Sequence, residues 1–313
     1  MITGYFLVNS SFKFEKLLKI WVSVFTYSFP IYLIFLSIGV VDFHIKQAIV
    51  SFFPIIFNTY WFITTYVLLY VFSPFINIFI RAIDKRTHLY VIMVLTFVWS
   101  VVPTFTPASL NFSAMAWFST LYIIGAYLRL YPNIKMTRVS LTVPVVCYLF
   151  VLSSIVVFDF AGLKARFFGI HATYFVGMNK LPIVVCAVTL FIAFKNLKLS
   201  NIKLINIISS SMLGVYLIHG NQFIRKVLWI DVFKNYQYYE SDILILHAVI
   251  SILFVFFACI AIDLIKQKTI DKSVFRLLRT IVDSKLIFFL WRHCIKVVEM
   301  YKCTPKELQV DDK

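Results

Sequence analysis

Residues Tyr60 to Ile80 read YWFITTYVLLYVFSPFINIFI, an apolar run that contains no charged side chain. A helix rises about 1.5 Å per residue, so a run of this length covers the roughly 30 Å hydrocarbon core of a bilayer. Tyr60 and Trp61 open the run, and such aromatic residues are typical of a membrane–water interface. The stretch therefore predicts a transmembrane helix, and this decides the class of fold.

The rest of the chain has the same character. Of the 313 residues 61% are hydrophobic and 14% are charged, and the mean hydropathy is +0.88. Soluble domains are about 45–50% apolar and about 25% charged. We predict an all-α, polytopic integral membrane bundle of about eight transmembrane helices. The predicted spans are 20–41, 59–80, 88–106, 113–130, 138–159, 180–196, 207–224 and 242–265.

The net charge of +16 does not indicate nucleic-acid binding, because the basic residues alternate in register with the spans. One side carries 23 of the 30 Lys and Arg, and the other side carries seven. The positive-inside rule then predicts that both ends of the chain are cytoplasmic and that membrane lipid is a partner.

Two regions are predicted along the chain: a membrane domain at 1–267 and a basic cytoplasmic tail at 268–313. Within the tail, Thr269 to Met300 alternates apolar and basic residues at helical spacing, which predicts an amphipathic helix on the inner leaflet. The five cysteines make no close pair, so we expect free thiols, with neither a disulfide framework nor a metal site.

The signatures of soluble enzymes are missing, including nucleotide-binding glycine motifs, His-Glu-x-x-His and Gly-x-Ser-x-Gly. Candidate residues are therefore sought among polar groups inside the spans, which hydrocarbon tolerates only beside a partner or a watery cavity. In the span at 59–80, Pro74 of the Ser73-Pro74 pair interrupts the series of backbone hydrogen bonds of the helix. Asn77 needs a hydrogen-bond partner inside the bundle. These residues indicate either a packing kink or a functional site.

The stretch Ser209 to Trp229, SSSMLGVYLIHGNQFIRKVLW, collects more polar groups than any other span. Ser210 and Gly214 form a small-xxx-small face that favours close helix packing. Tyr216 and His219 share a face, with Asn221 and Arg225 following. His219 fits a general base, because histidine is the side chain that most often serves as one, and it fits a hydrogen-bonded packing residue equally well.

Lys16 and Lys19 lie on one helical face beside the inner membrane surface. They fit a site for a phosphorylated ligand, and they also fit residues that only set topology.

Four stretches in this order resemble the acyltransferase 3 family of membrane acyltransferases. They are ITGYFLV, FKFEKLLKIW, YWFITTYVLLYVFSPFIN and SSSMLGVYLIHGNQFIRKVLW. Family members have ten membrane spans, and many O-acetylate bacterial surface polysaccharides. The resemblance implies acyl-CoA, typically acetyl-CoA, as co-substrate, with no bound cofactor and no metal.

The resemblance also implies roles for particular residues. Thr3, Gly4 and Tyr5 resemble a Ser-Gly-aromatic motif of the family. Lys16 and Lys19 stand where the family has an Arg-x-x-Arg pair proposed to hold the donor's phosphates. Tyr216, Leu217 and His219 match a Tyr-Leu-x-His element. The residues expected to bind the acceptor are Tyr216, Asn221, Arg225, Trp61 and Asn77.

One family feature has no counterpart here. The family's first helix supplies a basic residue and a histidine that serves as the base, and this chain starts at the end of the second family helix. The stub Met1 to Val8 would add only about 12 Å of helix. It is expected to be the remainder of that helix, although a disordered terminus or an interfacial anchor is the alternative. We accordingly expect His219 to have a supporting role more than to act as the sole base. If the missing helices are required, the chain as given is expected to be inactive.

The resulting prediction is a membrane O-acyltransferase of the bacterial inner membrane. It would transfer an acyl group from cytoplasmic acyl-CoA to a polysaccharide or a lipid-linked sugar. The alternative is a non-enzymatic exporter or flippase of lipid-linked sugars, or a membrane scaffold. A flippase is expected to place charges in several spans, and here only Asp263 is a candidate intramembrane acid.

Overall fold

The computed structural model describes residues 1–106, 112–132, 141–197, 200–271 and 274, and all regular structure in this part of the chain is helical. The α-helices in chain order are α1 (Ile2–Leu7), α2 (Phe14–Ser37), α3 (Ile45–Phe52), α4 (Trp61–Ala82), α5 (Lys85–Thr96), α6 (Val102–Phe105), α7 (Ala114–Leu130), α8 (Thr142–Gly162), α9 (Arg166–Ile170), α10 (Leu181–Asn196), α11 (Lys203–Ser210), α12 (Met212–His219), α13 (Gln222–Lys226) and α14 (Leu244–Lys266). The predicted all-α class is confirmed.

Six helical segments of the described chain are long and apolar enough to cross a bilayer. They are Phe14–Ser37, Trp61–Ala82, Lys85–Phe105, Thr142–Gly162, Arg166–Asn196 and Leu244–Asp271. Two shorter apolar segments, Ala114–Leu130 and Lys203–His219, overlap the other two predicted spans. The polytopic helical membrane protein is therefore confirmed, whereas the number eight stays a prediction.

Two predicted boundaries are wrong. The span expected at 207–224 is a succession of α11, α12 and α13, because the chain turns at Ser211 and again at Gly220 and Asn221. The segment between the spans predicted at 138–159 and 180–196 contains the end of α8, the whole of α9 and a 3₁₀ turn at Tyr174–Val176.

Pro74 lies inside α4 without ending the helix. Proline has no backbone N–H, so the carbonyl of Tyr70 loses the donor that it would have in a regular helix. The Ser73 hydroxyl donates to that carbonyl at 2.7 Å instead. The Ser-Pro pair thus keeps the backbone of this span satisfied.

The chain divides into two compact units, and the first comprises Met1–Phe12 and Leu68–Leu199. Its α1 packs directly on α7. A Cβ added to Gly4 would overlap the backbone of Tyr122, and one added to Gly125 would overlap the backbone of Met1. Glycine at both positions therefore permits backbone-to-backbone packing.

The second unit comprises Lys13–Val67 and Ser200–Lys313. Buried side chains of α2, α12 and α14 form its core. Large apolar side chains such as Ile245, Phe254 and Phe257 point outward on α14, as expected of a surface that faces lipid tails. Most of the predicted amphipathic helix at Thr269–Met300 lies outside the described residues.

Candidate functional site

In the second unit, Tyr60 joins the start of α4 to the turn between α12 and α13. The buried Tyr60 hydroxyl donates to the carbonyl of Leu217 at 3.1 Å and accepts from the Asn221 amide at 2.9 Å. The Asn221 side-chain oxygen accepts from the N–H of Phe223 at 3.0 Å and so caps α13. Asn221, predicted to bind substrate, has both ends of its amide engaged within the protein.

His219, at the last turn of α12, is held in a defined tautomer. Its Nδ1 lies 2.6 Å from the carbonyl oxygen of Val215, and a carbonyl can only accept, so Nδ1 carries the proton. In the neutral ring Nε2 then carries the lone pair. Within the described chain Nε2 has no hydrogen-bond partner, and the side chain is half-buried. This arrangement suits a base that takes a proton from a ligand.

An aromatic cluster reaches His219 through Tyr216. The ring of Tyr216 lies 6.4 Å from the His219 ring, 6.0 Å from that of Tyr60 and 5.8 Å from that of Phe62. Trp61 packs on Phe62 and keeps 44% of its surface exposed. The structure thus brings four predicted site residues together around Tyr60, namely Tyr216, His219, Asn221 and Trp61.

Arg225 lies on α13 with its side chain exposed. In the part of the chain that the structure describes, no hydrogen bond or ion pair engages its guanidinium. Its guanidinium is free to bind an anionic or polar ligand.

Lys16 and Lys19 lie in the first two turns of α2, and both are exposed. The Lys19 ammonium is 2.8 Å from a Glu15 carboxylate oxygen, and both side chains are 53% exposed. Such a surface pair contributes only about 0–1 kcal/mol, so a phosphate can compete for the lysine.

Asp263, a buried acid on α14, was noted in the sequence, but its surroundings were not predicted. The Tyr27 hydroxyl donates to one carboxylate oxygen, and the Gln267 amide donates to the other. Asp263 also packs on Gly214 so closely that a Cβ at Gly214 would overlap the carboxylate. The close helix approach predicted at Gly214 is thereby confirmed.

A cavity of about 390 Å³ opens beside Asp263. Ser23, Tyr27, Ser210 and Gln267 line it with hydroxyl and amide groups. Lys266 also lines it, with its ammonium 2.8 Å from a carboxylate oxygen of Asp271 and 4.5 Å from the centre of the Tyr27 ring. The sequence signal was the helical spacing of Lys19, Ser23 and Tyr27, which follow one another at i, i+4 and i+8.

Asn77, the remaining predicted site residue, belongs to the first unit. Its amide donates to the carbonyl of Leu7 at 3.0 Å, and its oxygen accepts from the Tyr122 hydroxyl at 2.8 Å. Arg81 donates to the carbonyl of Val8 at 2.9 Å. The two side chains therefore satisfy carbonyls at the end of α1, and Asn77 is not part of the group around His219.

The described ranges contain neither a metal-ligating cluster nor a disulfide. No group of three or more His, Cys, Asp or Glu residues there could hold a metal ion. Cys147, Cys186 and Cys259 are free thiols. Cys294 and Cys303 lie outside the described residues.

Long apolar helices that enclose buried polar networks define a multi-pass helical membrane protein. The sequence profile of an acyltransferase domain, that of the acyltransferase 3 family, matches residues 1–264. The chain belongs to the acyltransferase 3 family. No curated protein and no solved structure matched it.

Proposed function

We propose that this membrane acyltransferase transfers an acyl group, acetyl in the first instance, from acyl-CoA to a sugar hydroxyl. The acceptor is a cell-surface or capsular polysaccharide or its lipid-linked precursor. The observation that carries the proposal is His219, whose Nδ1 is fixed on the Val215 carbonyl while Nε2 remains available. On this ground we propose His219 as the base, in place of the supporting role expected from the sequence.

The proposed reaction is a direct acyl transfer. The Nε2 atom of His219 takes the proton of the acceptor hydroxyl as its oxygen attacks the thioester carbonyl. The tetrahedral intermediate collapses and breaks the carbon–sulfur bond. The imidazolium then returns the proton to the departing thiolate, so the products are the O-acyl sugar and free CoA.

The other predicted residues have separate roles in this proposal. Lys16 and Lys19 hold the phosphates of the donor, since both ammonium groups are exposed at the start of α2. The acceptor would receive hydrogen bonds from the charged guanidinium of Arg225. It would also pack on the aromatic faces of Trp61 and Tyr216 beside His219. Asn221 and Asn77 act through the backbone segments that they hold.

We place the protein in the bacterial cytoplasmic membrane, with both ends of this chain in the cytoplasm. The support is the basic bias of 23 residues against seven. This orientation lets Lys16 and Lys19 meet cytoplasmic acyl-CoA.

Membranes that contain the chain, supplied with radiolabelled acetyl-CoA, test the proposal through label transferred to glycan. His219→Ala should lower the rate by about 10²–10⁴-fold, the usual contribution of a general base. His171→Ala is a matched control, because the Nδ1 of His171 also lies 2.7 Å from the carbonyl four residues earlier, on α9. An unchanged rate in His219→Ala would remove this residue from the chemistry, and no labelling by the wild-type chain would contradict the proposal.

A further inference from the structure

The cavity beside Asp263 has no role in the acyl transfer just described, although it is built from buried polar groups. Asp263 and Lys266 are 5% and 7% exposed, and Tyr27 is 6% exposed. Polar groups are costly to bury inside a membrane protein and are retained mainly where they face a ligand or a pathway. The cavity therefore requires its own explanation.

The position of the cavity along α2 is the first clue. Ser23 follows Lys19 by one helical turn, and Tyr27 follows Ser23 by another, so each step covers about 6 Å on one face. Ser23 and Tyr27 both line the cavity. A ligand whose phosphates lie on Lys16 and Lys19 would place its next segment here.

The opposite end of the cavity reaches α12. Gly214 contributes to the lining, and His219 follows it by five residues, or about 7.5 Å of helix. The order along the second unit is therefore the lysine pair, the cavity and then the candidate base.

The size and lining indicate the chemistry of the ligand. At about 30 Å³ per water, 390 Å³ gives room for about a dozen small polar or apolar groups. The Ser23 hydroxyl can donate to a carbonyl oxygen, whereas Ser210 and Gln267 already donate to Ile207 and Asp263. The Asp263 and Asp271 carboxylates, which both line the cavity, keep lone pairs that can accept from an N–H. A fatty acyl tail would offer no partner to the Ser23 hydroxyl or to the two carboxylates, whereas a chain of amides and hydroxyls would pair with them.

We propose that this cavity holds the amide-bearing arm that joins the phosphates of an acyl-CoA donor to its thioester. The proposal rests on the function proposed above and adds a site for the middle of the donor. The arm runs past Ser23, Tyr27 and Asp263 and delivers the thioester toward His219.

Equilibrium binding to the full chain in detergent micelles tests this assignment with two probes. CoA carries the nucleotide and the arm, and adenosine 3′,5′-bisphosphate carries the nucleotide without the arm. The wild-type chain should bind CoA at least about tenfold more tightly than the bisphosphate.

Ser210→Trp fills the cavity and should lower CoA affinity about tenfold while leaving bisphosphate affinity unchanged. Ser209→Trp is the matched control, because both serines are exposed and donate to the carbonyl three residues earlier, but only Ser210 lines the cavity. The control should bind both probes as the wild type does. Ser23→Leu, a smaller change on α2, should reproduce the selective loss of CoA affinity.

The proposed function and the arm site fail in different ways. If the wild-type chain binds neither probe, the acyl-CoA donor itself is wrong. Suppose that the double variant Lys16→Ala/Lys19→Ala lowers the affinity for both probes, while Ser210→Trp and Ser23→Leu bind CoA like the wild type. Acyl-CoA is then still supported as the donor, and the arm site is wrong. An equal loss of affinity for both probes in these two cavity variants also contradicts the arm site.

Discussion

The two units each bury a tyrosine hydroxyl that donates to a polar side chain, yet the two networks differ in kind. In the first unit Tyr122 donates to Asn77, whose amide is used up on the carbonyl of Leu7. In the second unit Tyr27 donates to Asp263, an acid that lines an open cavity. The first network is neutral and closed, and the second is charged and accessible. A polar residue inside a membrane helix therefore indicates a ligand only when space lies beside it.

The largest difference in stability is expected when a glycine of the first unit and a glycine of the second unit are each replaced by alanine. Gly4→Ala puts a methyl group into the backbone of Tyr122, which has nowhere to move. We expect a loss of about 1–3 kcal/mol or more, seen as a fall of several degrees in the unfolding temperature in detergent. Gly169→Ala is the control, since the nearest atom to its added Cβ is 3.5 Å away.

Gly214→Ala meets the Asp263 side chain instead of backbone, so the carboxylate can shift into the cavity. The unfolding temperature should fall less than in Gly4→Ala, while CoA binding weakens several-fold. Equal unfolding temperatures for the two variants would show that both glycines serve packing alone.

Replacing the polar partners of the two tyrosines, Asn77 and Asp263, should give a smaller difference in stability. Asn77→Leu removes the acceptor of the buried Tyr122 hydroxyl, whereas the Leu7 carbonyl keeps the Ser10 N–H. A buried unsatisfied group costs about 1–3 kcal/mol. Asp263→Asn keeps an oxygen for the Tyr27 hydroxyl and removes the charge. The unfolding temperature should fall in Asn77→Leu and change little in Asp263→Asn, whereas CoA affinity should fall only in Asp263→Asn. The reverse pattern would break the distinction between a closed and an accessible network.

The smallest effect is expected at Asp84, an exposed acid that caps α5. Thr87 and the N–H of Arg86 donate to it, and these hydrogen bonds hold the pKa of its carboxyl below the usual 3.8. The carboxylate should therefore stabilise the start of α5 above pH 3.8, and this stabilisation should be lost as pH falls through the lowered pKa. Hydrogen exchange in the first turn of α5 should show this loss. Asp84→Asn should abolish the pH dependence while keeping the cap, and an unchanged profile would exclude Asp84 as its source.

The sequence predicted the membrane class and most of the span positions, because lipid selects long apolar runs whatever their partners are. It also predicted that Asn77 needs a partner and that Gly214 permits close packing. The identity of the partners could not be predicted. Tyr27 and Asp263 lie 236 positions apart, and only the packing of α2 and α14 on α12 in the second unit brings them together.

The breaks at Ser211 and Asn221 were missed for a related reason. Each of α11, α12 and α13 holds enough apolar residues among its polar ones that hydropathy alone predicts one span. The break at Asn221 is stabilised by the side-chain bond to the Phe223 N–H and by Tyr60, and the latter contact is distant in sequence. The orientation of His219 likewise depends on the bond from Nδ1 to Val215, which spacing permits but does not require.

The Ser73 hydroxyl on the Tyr70 carbonyl has a consequence for how this chain enters the bilayer and how it can change over generations. A helix that carries Pro74 can pass into hydrocarbon as one piece, before any neighbour has arrived, because its exposed carbonyl is already bonded from within. We therefore expect serine and proline at these two positions to be retained together. Loss of the serine alone leaves a bare carbonyl in the membrane, and loss of the proline alone makes the serine dispensable.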